Sequence, residues 1–319
     1  MTTARAALRA RREKVVIVTR KTVLEELVTR FNTVGQAKFY LEHAGQQFDA
    51  IEQEHERYHA VVDKVRRAIP VGVKHQIIDR SFLPQFVFGD DDLVVTVGPD
   101  GQVVNTAKYL SRQPILAINP DPDRIEGVLL PFSAEQAMPV LLEAISGEPR
   151  YKQITMAEAV LSDGQRLLAF NDLFIGARSH VSARYRIDVD GNTEDQSSSG
   201  ILISTGAGST GWLKSVRAGA AHVVGTARGH GSPNNERLAW DADRLVYVVR
   251  EPWPSKSTGA NIVYGSILQD THFTVASYMA ENGVIFSDGV EADYVSFTAG
   301  LTATVRVADK KAYLLINWR

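Results

Sequence analysis

The sequence predicts an α/β N-terminal domain with a parallel sheet, followed by a mostly antiparallel β C-terminal domain. The chain has 319 residues, about twice the length that one domain needs. From Lys14 to about Gly147, apolar strands alternate with helical patterns, which is typical of a parallel sheet covered by helices. From about Tyr151 onward, the strands are short and alternate between apolar and polar residues, which is typical of antiparallel sheets.

The predicted elements follow from these patterns in chain order. Glycine and proline interrupt the pattern at SGEPRY, so we predict domains of residues 1–147 and 148–319. The first domain has predicted strands at KVVIVT, VKHQIID, LVVTVG and PILAIN, with helices from about Val103 and from Ser133. The second has predicted strands within ARYRIDVDGN, GILIST, RLVYVVRE, FTVASYM, GVIFSDGVEADYVSFT, TATVRVAD and AYLLINW. The polar stretch EDQSSSG, Glu194 to Gly200, is predicted to be a hairpin loop.

The composition excludes several classes of protein and of site. The net charge is −2, without the basic excess that a nucleic-acid partner requires. There is no cysteine, which excludes disulfides, thiolate zinc sites, iron–sulfur clusters and a cysteine nucleophile. Apolar runs such as GVLLPF are far shorter than the roughly 18 residues of a membrane-spanning helix. We therefore expect a soluble protein with neither nucleic-acid nor membrane partners.

The N-terminal segment MTTARAALRARREK is rich in arginine and alanine and poor in acidic residues, as mitochondrial presequences are. The first predicted strand begins almost at once, however, and a cleaved presequence is usually longer. We therefore predict a basic helix end on a cytoplasmic protein, with the mitochondrial matrix as the alternative location.

An apolar seam with steps of three and four residues predicts one face of a long helix in the first domain. Its members are Leu41, Ala44, Phe48, Ile51, His55, Tyr58, Val62 and Val65. A small domain does not easily bury so long a seam, so the pattern predicts a homodimer or a higher homo-oligomer.

The segment HERYH within this seam, His55 to His59, matches the zinc-protease pattern of two histidines one helical turn apart. Glu56 would be the general base. A third ligand is required, however, and no histidine follows at the metzincin spacing. We interpret the match as a coincidence on an amphipathic helix and predict no metal site.

A glycine-rich segment, SSSGILISTGAGSTGWLKS, leads from a β-branched strand into a predicted helix. The small residues Gly206, Gly208 and Ser209 would let backbone amides approach an anion, which predicts phosphate binding. A simple helix N-cap is the alternative interpretation. A serine nucleophile lacks both the G-x-S-x-G elbow and a partner histidine.

Two further turns carry acidic residues. The strand LVVTV runs into Gly98-Pro99-Asp100-Gly101 and then a helix, as phosphate-handling loops do, although Pro99 has no backbone N–H to offer. Asn171 and Asp172 follow another apolar strand, and an amide beside a carboxylate can bind vicinal ribose hydroxyls. An Asx turn at the end of a strand is the alternative for this pair.

In this order the motifs resemble those of the NAD kinase family, and especially of its mitochondrial-type branch. That family has a Gly-Gly-Asp-Gly turn, an Asn-acidic pair, a Thr-x-x-Gly-Ser-Thr-x-aromatic segment and a late Asp-Gly turn. The matching residues are Gly98 to Gly101, Asn171-Asp172, Thr205 to Trp212 and Asp288-Gly289. The resemblance to the branch comes from PILAINPDPDRIEG, FNDLFIG, SSGILISTGAGS and VREP.

The resemblance implies an NAD kinase-like fold, with a Rossmann-like first domain, an NAD-binding β domain and the active site between them. It implies transfer of the γ-phosphoryl group of ATP, accompanied by Mg²⁺, to the 2′-hydroxyl of the adenosine ribose of NAD, which gives NADP. Asp100 matches the catalytic base. The expected NAD-binding residues are Gly101, Asn171, Asp172, Thr210, Gly211, Trp212 and Ser215. The expected phosphate-binding residues are Gly98, Gly101, Gly206, Gly208 and Ser209.

Three residues depart from the family pattern. Pro99 replaces the second glycine of the turn, Gln102 replaces a small hydroxyl residue, and Ser199 replaces an aspartate, as it does in the mitochondrial-type branch. The departure at Pro99 keeps two alternatives open. One is a related kinase that acts on another hydroxyl compound, such as a nucleoside, a sugar or a metabolite alcohol. The other is a non-catalytic sensor that binds NAD(P) or another nucleotide.

Overall fold

The computed structural model describes residues 12–147, 150–228 and 237–316, which form two compact units. One unit contains the residues up to Lys152 together with those from Tyr313 onward, and the other is Gln153–Ala312. The predicted division into 1–147 and 148–319 differs from these two units at both ends of the second one. The chain returns to the first unit because Tyr313 and Leu314 pair with Pro114 and Ile115 there. Most of the basic N-terminal segment lies outside the described residues.

The first unit is a parallel sheet with helices. Its strands are β1 (Lys14–Thr19), β2 (Lys74–Asp79), β3 (Asp92–Val97), β4 (Pro114–Asn119) and the short β5 (Phe132–Ser133). Its helices are α1 (Val23–Phe31), α2 (Val34–His43), α3 (Phe48–Ala68), α4 (Asp100–Ala107) and α5 (Ala137–Ser146). The strand order is β4-β3-β1-β2, and each of these pairs is parallel.

Burial explains why the central strands of this sheet are continuously apolar. Every residue of β3 and β4 is buried, as expected of parallel strands that are covered on both faces. Ile17 of β1 and Val95 of β3 share one core with Val62 of α3 and Leu141 of α5. On α4, Val103 and Val104 are buried.

Two helices begin at residues other than those predicted. The helix expected from about Val103 begins at Asp100, directly after Pro99, whose φ of −72° leads into a helix without strain. The helix expected from Ser133 begins at Ala137, because β5 and a short 3-10 turn precede it. Ser133 forms a capping box with Gln136 at that turn.

The prediction of one long helix along the apolar seam is wrong. Helix α2 ends at His43 and α3 starts at Phe48, because Gly45 takes a φ of +74° and the N–H of Gln46 donates to the carbonyl of Leu41 at 2.9 Å. These two features form a Schellman stop. Most of the seam is also buried within the first unit, with Leu41 and Phe48 packed against Leu24 of α1. It therefore gives no support to an oligomer, which stays a prediction.

The second unit is built from two antiparallel sheets and one helix. The strands of one sheet are β6 (Tyr151–Leu161), β7 (Arg166–Ala169), β9 (Ala183–Val189), β10 (Asn192–Ser198), β14 (Phe273–Ser277) and β17 (Thr302–Leu315). Those of the other are β8 (Asp172–Ala177), β11 (Ile201–Ser204), β12 (Leu245–Val249), β13 (Tyr264–Ile267), β15 (Gly283–Ser287) and β16 (Val290–Ser296). The helix is α6 (Trp212–Arg228).

The apolar faces of the two sheets form the core of this unit. Tyr185 and Val305 of one sheet share a cluster with Ile175 and Ile203 of the other. On the opposite face of the second sheet, Leu202 packs in a separate cluster with Leu213 of α6. The predicted fold class, an α/β region followed by a mostly antiparallel β region, is confirmed. Among the described residues, no helix combines the length and the apolar character needed to cross a membrane.

The prediction of a loop at EDQSSSG is wrong, because most of this stretch belongs to strand β10. Gln196 and Ser198 are buried there, and the hydroxyl of Tyr185 bridges their polar atoms at 3.0 and 2.7 Å. These two polar side chains are therefore buried at little cost, since they are hydrogen-bonded. The two strands predicted at TATVRVAD and AYLLINW are a single strand, β17.

Tyr58 joins three elements of the first unit, and its hydroxyl provides a test of this fold. It is 2% exposed, accepts a hydrogen bond from the N–H of Arg20 at 2.8 Å and donates to the carbonyl of Val97 at 3.1 Å. We expect Tyr58→Phe to lower the free energy of unfolding by about 1–3 kcal/mol, because it leaves these backbone groups without their partner. Urea denaturation measures the change.

The control is Tyr40→Phe, at a half-exposed ring. This substitution should change the free energy of unfolding by less than about 0.5 kcal/mol. Equal midpoints for the two variants would contradict this role.

Candidate functional site

The strand order of the first unit defines where a ligand should bind. From β1 the chain crosses to β2, towards one edge of the sheet. From β3 it crosses to β4, towards the opposite edge. Neighbouring crossovers that diverge in this way leave a crevice at the carboxyl ends of the two central strands. Arg20 follows β1, and the Gly98-Pro99-Asp100-Gly101 turn follows β3. The predicted acidic turn therefore lies at the switch point of the sheet.

Asp100 is the first residue of α4, where a carboxylate is favoured by the helix dipole. It is half-buried, and one carboxylate oxygen, Oδ1, accepts a hydrogen bond from the N–H of Leu129 at 2.6 Å. Gly101 is exposed, whereas Gly98 is buried and its N–H donates to the carbonyl of Ile118 at 3.4 Å. The turn thus holds a carboxylate in a fixed orientation beside an accessible helix start.

The two unusual residues of this turn have structural roles. Pro99 is the N-cap of α4 and provides no side-chain cap. Gln102 is 1% exposed, and its Nε2 donates to the carbonyl of Thr19 at 3.0 Å, which ties α4 to the end of β1. The longer side chain at position 102 therefore has a structural role at the start of α4.

Arg20 is a cation at this end of the sheet that was not predicted from the sequence. Its side chain approaches Gly98, with Cδ 3.8 Å from the position that a Cβ would occupy. Its guanidinium pairs with Glu54 at 2.7 Å and lies over the ring of Tyr58, 5.1 Å from the centroid. The position after β1 in a predicted parallel sheet was the available signal, because carboxyl ends of strands carry ligand sites.

In the second unit, the Asn171-Asp172 pair is held by Asp288. The carboxylate of Asp288 accepts backbone N–H groups of Phe170, Asn171 and Asp172 at 3.1, 2.7 and 3.1 Å. The N–H of Asp288 in turn donates to the carbonyl of Asp172 at 2.9 Å. Asp288 takes a φ of +57°, which aspartate tolerates better than most residues. The late Asp-Gly turn is thus the brace of the predicted acceptor site.

Asp172 is a buried carboxyl group in an unusual electrostatic setting. Burial raises the pKa of Asp172 to about 7, the negative charge of Asp288 adds to the effect, and a hydrogen bond from Ser204 opposes it. The Oδ1 atom of Asp172 is buried and has no hydrogen-bond partner among the described residues. A buried acceptor without a partner is rare and marks a place where a ligand could donate.

The glycine-rich loop packs against this pair. Thr205 donates its N–H to the carbonyl of Asn171 at 2.9 Å and its hydroxyl to the carbonyl of Phe170 at 2.6 Å. A side chain at Gly208 would collide with the carbonyl of Asn171 and lie 2.7 Å from Oδ1 of Asp172. The backbones therefore approach so closely that only glycine fits at position 208.

The same contacts bear on the predicted phosphate binding by this loop. A side chain at Gly206 would collide with the carbonyl of Ala239. The N–H of Gly208 donates to the hydroxyl of Thr205 at 3.2 Å, and the hydroxyl of Ser209 donates to the carbonyl of Gly206 at 2.7 Å. The small residues thus permit close packing, and the N–H of Gly208 and the hydroxyl of Ser209 have internal partners. Phosphate binding at Gly206, Gly208 and Ser209 stays a prediction.

The remaining predicted residues lie where the loop enters α6. Thr210 ends a short 3-10 turn, Gly211 and Ser215 are exposed, and Trp212 begins the helix half-buried. The ring of Trp212 stacks with Phe174 at 5.8 Å between centroids, and Phe174 stacks with Phe286 at 4.8 Å.

These aromatic rings line a cavity of about 620 Å³ in the second unit. The guanidinium of Arg250 lies over Trp212 at 5.2 Å and also reaches the cavity wall, beside Ser199. Phe174, Phe286 and Arg250 were not among the site residues predicted from the sequence. The available signal was the alternation in β8, which turns Phe174 away from the core face that Leu173 and Ile175 occupy.

Comparison with known proteins identifies the fold. No protein-family model matches the chain. A probable NADH kinase of Oryza sativa subsp. japonica is 26% identical over 226 residues, which are 63% of each protein. NAD kinase 2, mitochondrial, of Rattus norvegicus is 27% identical over 259 residues, 62% of this chain and 61% of the rat protein. The chain thus spans about three fifths of the length of these relatives.

Among solved structures, an NAD kinase from Archaeoglobus fulgidus in complex with ATP superposes with a TM-score of 0.57 at 16% identity. The match covers 95% of this chain and 94% of that one. The chain therefore has the fold of the NAD kinases, and the fold that the resemblance implied is confirmed.

The raised pKa of Asp172 has a consequence for stability. A carboxyl group whose pKa is higher in the folded than in the unfolded state stabilises the fold most below its unfolded value, 3.8, and this contribution is lost as the pH rises through about 7. We expect Asp172→Asn to flatten the decline of unfolding free energy over this range, by up to about 1.4 kcal/mol per pH unit. Urea denaturation at several pH values measures the slope, with the exposed Asp270→Asn as control. Parallel slopes for Asp172→Asn and the unaltered protein would refute the assignment.

Proposed function

We propose that this protein is an NAD kinase. It transfers the γ-phosphoryl group of ATP to the 2′-hydroxyl of the adenosine ribose of NAD and forms NADP. The proposal is supported by the NAD kinase fold, by the named relatives and by the chemistry of two sites, one in each unit.

The position of Asp100 is the observation that carries this proposal. Phosphoryl transfer needs little from a protein beyond positioning, neutralisation of charge and a base for the attacking hydroxyl. Asp100 is a carboxylate at a helix start and at the switch point of a parallel sheet, held through one oxygen by Leu129. It accepts the proton of the 2′-hydroxyl as that oxygen bonds to the γ-phosphorus. The bond from the γ-phosphorus to the bridging oxygen breaks, and ADP leaves.

Asn171 and Asp172 bind the acceptor. The unpartnered Oδ1 of Asp172 is an acceptor that a ribose hydroxyl satisfies, and the amide of Asn171 offers a second group to the neighbouring hydroxyl. A donor at Oδ1 stabilises the ionised form of Asp172 and so offsets the cost of its burial. Asp288 keeps both residues in place through their backbone.

The cavity beside Trp212 supplies the apolar part of the acceptor site. A base of the dinucleotide has the flat apolar surface that aromatic residues bind, and Arg250 adds a positive charge at the same wall. In this proposal, Thr210, Gly211 and Ser215 line the approach to that cavity.

The phosphate donor binds at the start of α4. Gly101 is exposed at the positive end of the helix dipole, and the side chain of Arg20 approaches the same turn at Gly98. Mg²⁺ arrives with the triphosphate, and we assign it no protein ligand. Binding of ATP, a homo-oligomeric state and a cytoplasmic location stay predictions, and the mitochondrial name of the rat relative keeps the matrix as the alternative.

An assay of the purified protein with ATP, Mg²⁺ and either NAD or NADH tests the function by direct measurement of NADP or NADPH. We expect Asp100→Asn to bind the dinucleotide with similar affinity but to lower kcat by about 10²–10⁴, the usual cost of losing a general base. Asp91→Asn, an exposed residue of the same unit, is the matched control and should keep full activity.

Other outcomes of this assay identify the alternatives. Turnover with a nucleoside or sugar but not with NAD or NADH would indicate the related kinase. Binding of NAD without turnover would indicate the sensor. Near-normal activity of Asp100→Asn would remove Asp100 from the role of base.

Pro99 generates a separate prediction about the donor. Proline removes one N–H from the turn, and a hydrogen bond to a charged group is worth about 1.5–3 kcal/mol, or roughly 10–100-fold in binding. We therefore expect a high KM for ATP that falls in Pro99→Gly, with little change in the KM of the acceptor. Steady-state kinetics measures both constants, and the exposed Pro254→Gly controls for loss of a proline. A change in acceptor preference without a change in the KM for ATP would instead place Pro99 at the acceptor.

A further inference from the structure

Helices α1 and α3 bring together three side chains of the kind that bind transition metals. The ligand atoms of Glu25, His55 and His59 all lie within 4.8 Å of one another. Glu25 comes from the first turn of α1, and the two histidines are one turn apart on α3. The carboxylate is the third group that the HERYH motif lacked in the sequence, where it lies 30 residues before His55.

The two histidines converge because residues four apart share one face of a helix. Their ring centroids are 4.4 Å apart. The Nε2 atom of His59 lies 3.2 Å from Oε1 of Glu25, so the carboxylate already faces the imidazole. Glu25 and His55 are half-buried and His59 is exposed, so a cation has access from solvent.

A single buried residue, Thr22, orients two of the three groups. Its hydroxyl is hydrogen-bonded to Nδ1 of His55 at 2.8 Å, and its N–H donates to Oε2 of Glu25 at 2.7 Å. Thr22 has no exposed surface. In metal sites, outer hydrogen bonds of this kind fix the ring nitrogen and the carboxylate oxygen that face the ion. Here they occupy Nδ1 of His55 and Oε2 of Glu25, which leaves Nε2 and Oε1 for a ligand.

We propose that Glu25, His55 and His59 bind one Zn²⁺ ion. Two imidazoles and one carboxylate are a common protein ligand set for zinc, and water would complete the tetrahedron on the exposed side. In a tetrahedral site with bonds of roughly 2.0–2.2 Å, the ligand atoms lie about 3.3–3.6 Å from one another. The three ligand atoms here need only converge to that spacing from within 4.8 Å, a shift that side-chain rotation provides.

This ion would have a structural role. In a zinc protease the glutamate beside the first histidine is the general base, but Glu56 is exposed and lies outside the cluster. The ion instead connects the start of α1 to the middle of α3. The same stretch of α3 carries Tyr58, whose hydroxyl holds Arg20 at the end of β1. Zinc would therefore stiffen the segment that positions Arg20.

The competing explanation is that Glu25 and His59 form only an ion pair. An exposed pair of this kind contributes little and requires no contribution from His55. The two explanations differ in what each residue does to metal binding, which can be measured without any kinase assay. The outcome is therefore independent of the proposed function.

The test uses the full chain, produced without a histidine tag and freed of metal by a chelator. Calorimetric titration with Zn²⁺ should show one site per chain, and Co²⁺ in its place should give the intense visible absorption of a tetrahedral site. His59→Gln and Glu25→Gln should each weaken zinc binding by more than the roughly 10–100-fold that loss of an outer hydrogen-bond partner costs. His43→Gln, an exposed histidine of α2, is the matched control and should bind normally.

Glu25→Gln also separates loss of a ligand from loss of structure. Glutamine at this position preserves the capping box with Thr22, so α1 remains capped while the anionic ligand is removed. Circular dichroism should be unchanged for both variants. Absence of stoichiometric zinc binding in the unaltered protein, or equal affinity in His59→Gln and His43→Gln, would overturn the proposal.

Discussion

The parallel pairing of β1 with β3 is the constraint on which the organisation of the first unit depends. It sets two carboxyl ends side by side, so that Arg20 and the turn before α4 lie at one edge of the sheet. After β1 the chain continues towards β2, and after β3 it continues towards β4 at the opposite edge of the sheet. Helix α3, which lies between β1 and β2 in the chain, packs on this sheet. Tyr58 of α3 closes this arrangement by hydrogen bonds to both strand ends. The positions of the candidate base and its neighbouring cation both follow from this one pairing.

In the second unit, the main constraint is that two carboxyl groups, those of Asp172 and Asp288, lie close together. The negative charge of the Asp288 carboxylate is stabilised by hydrogen bonds from three backbone N–H groups. The carboxyl group of Asp172, by contrast, has one oxygen without a partner. Burial is the main cause of the raised pKa of Asp172, and the negative charge of Asp288 adds to it. A site whose acceptor is satisfied only by a ligand is less stable when empty, as functional sites often are.

Both units use glycine and proline for backbone geometry as much as for ligand approach. Gly208 is required because the loop packs onto Asn171, and Pro99 is accepted because α4 starts immediately after it. A glycine-rich or proline-containing turn therefore does not by itself reveal phosphate binding. The contacts of each amide decide whether it is free for a ligand, and those contacts involve distant parts of the chain.

The sequence by itself determined the fold class, the strands of the parallel sheet and the order of the motifs, because periodicity and turn chemistry act over a few neighbouring residues. Even there, the steps of three and four along Leu41 to Val65 concealed the break at Gly45, since two helices can continue one apolar stripe. Tertiary structure decided the rest. Asp288 braces Phe170 across 118 residues, Tyr185 makes a polar strand acceptable in β10, and Glu25 completes a cluster with His55 and His59. Such contacts depend on strand order and packing, which a local pattern of residues does not encode.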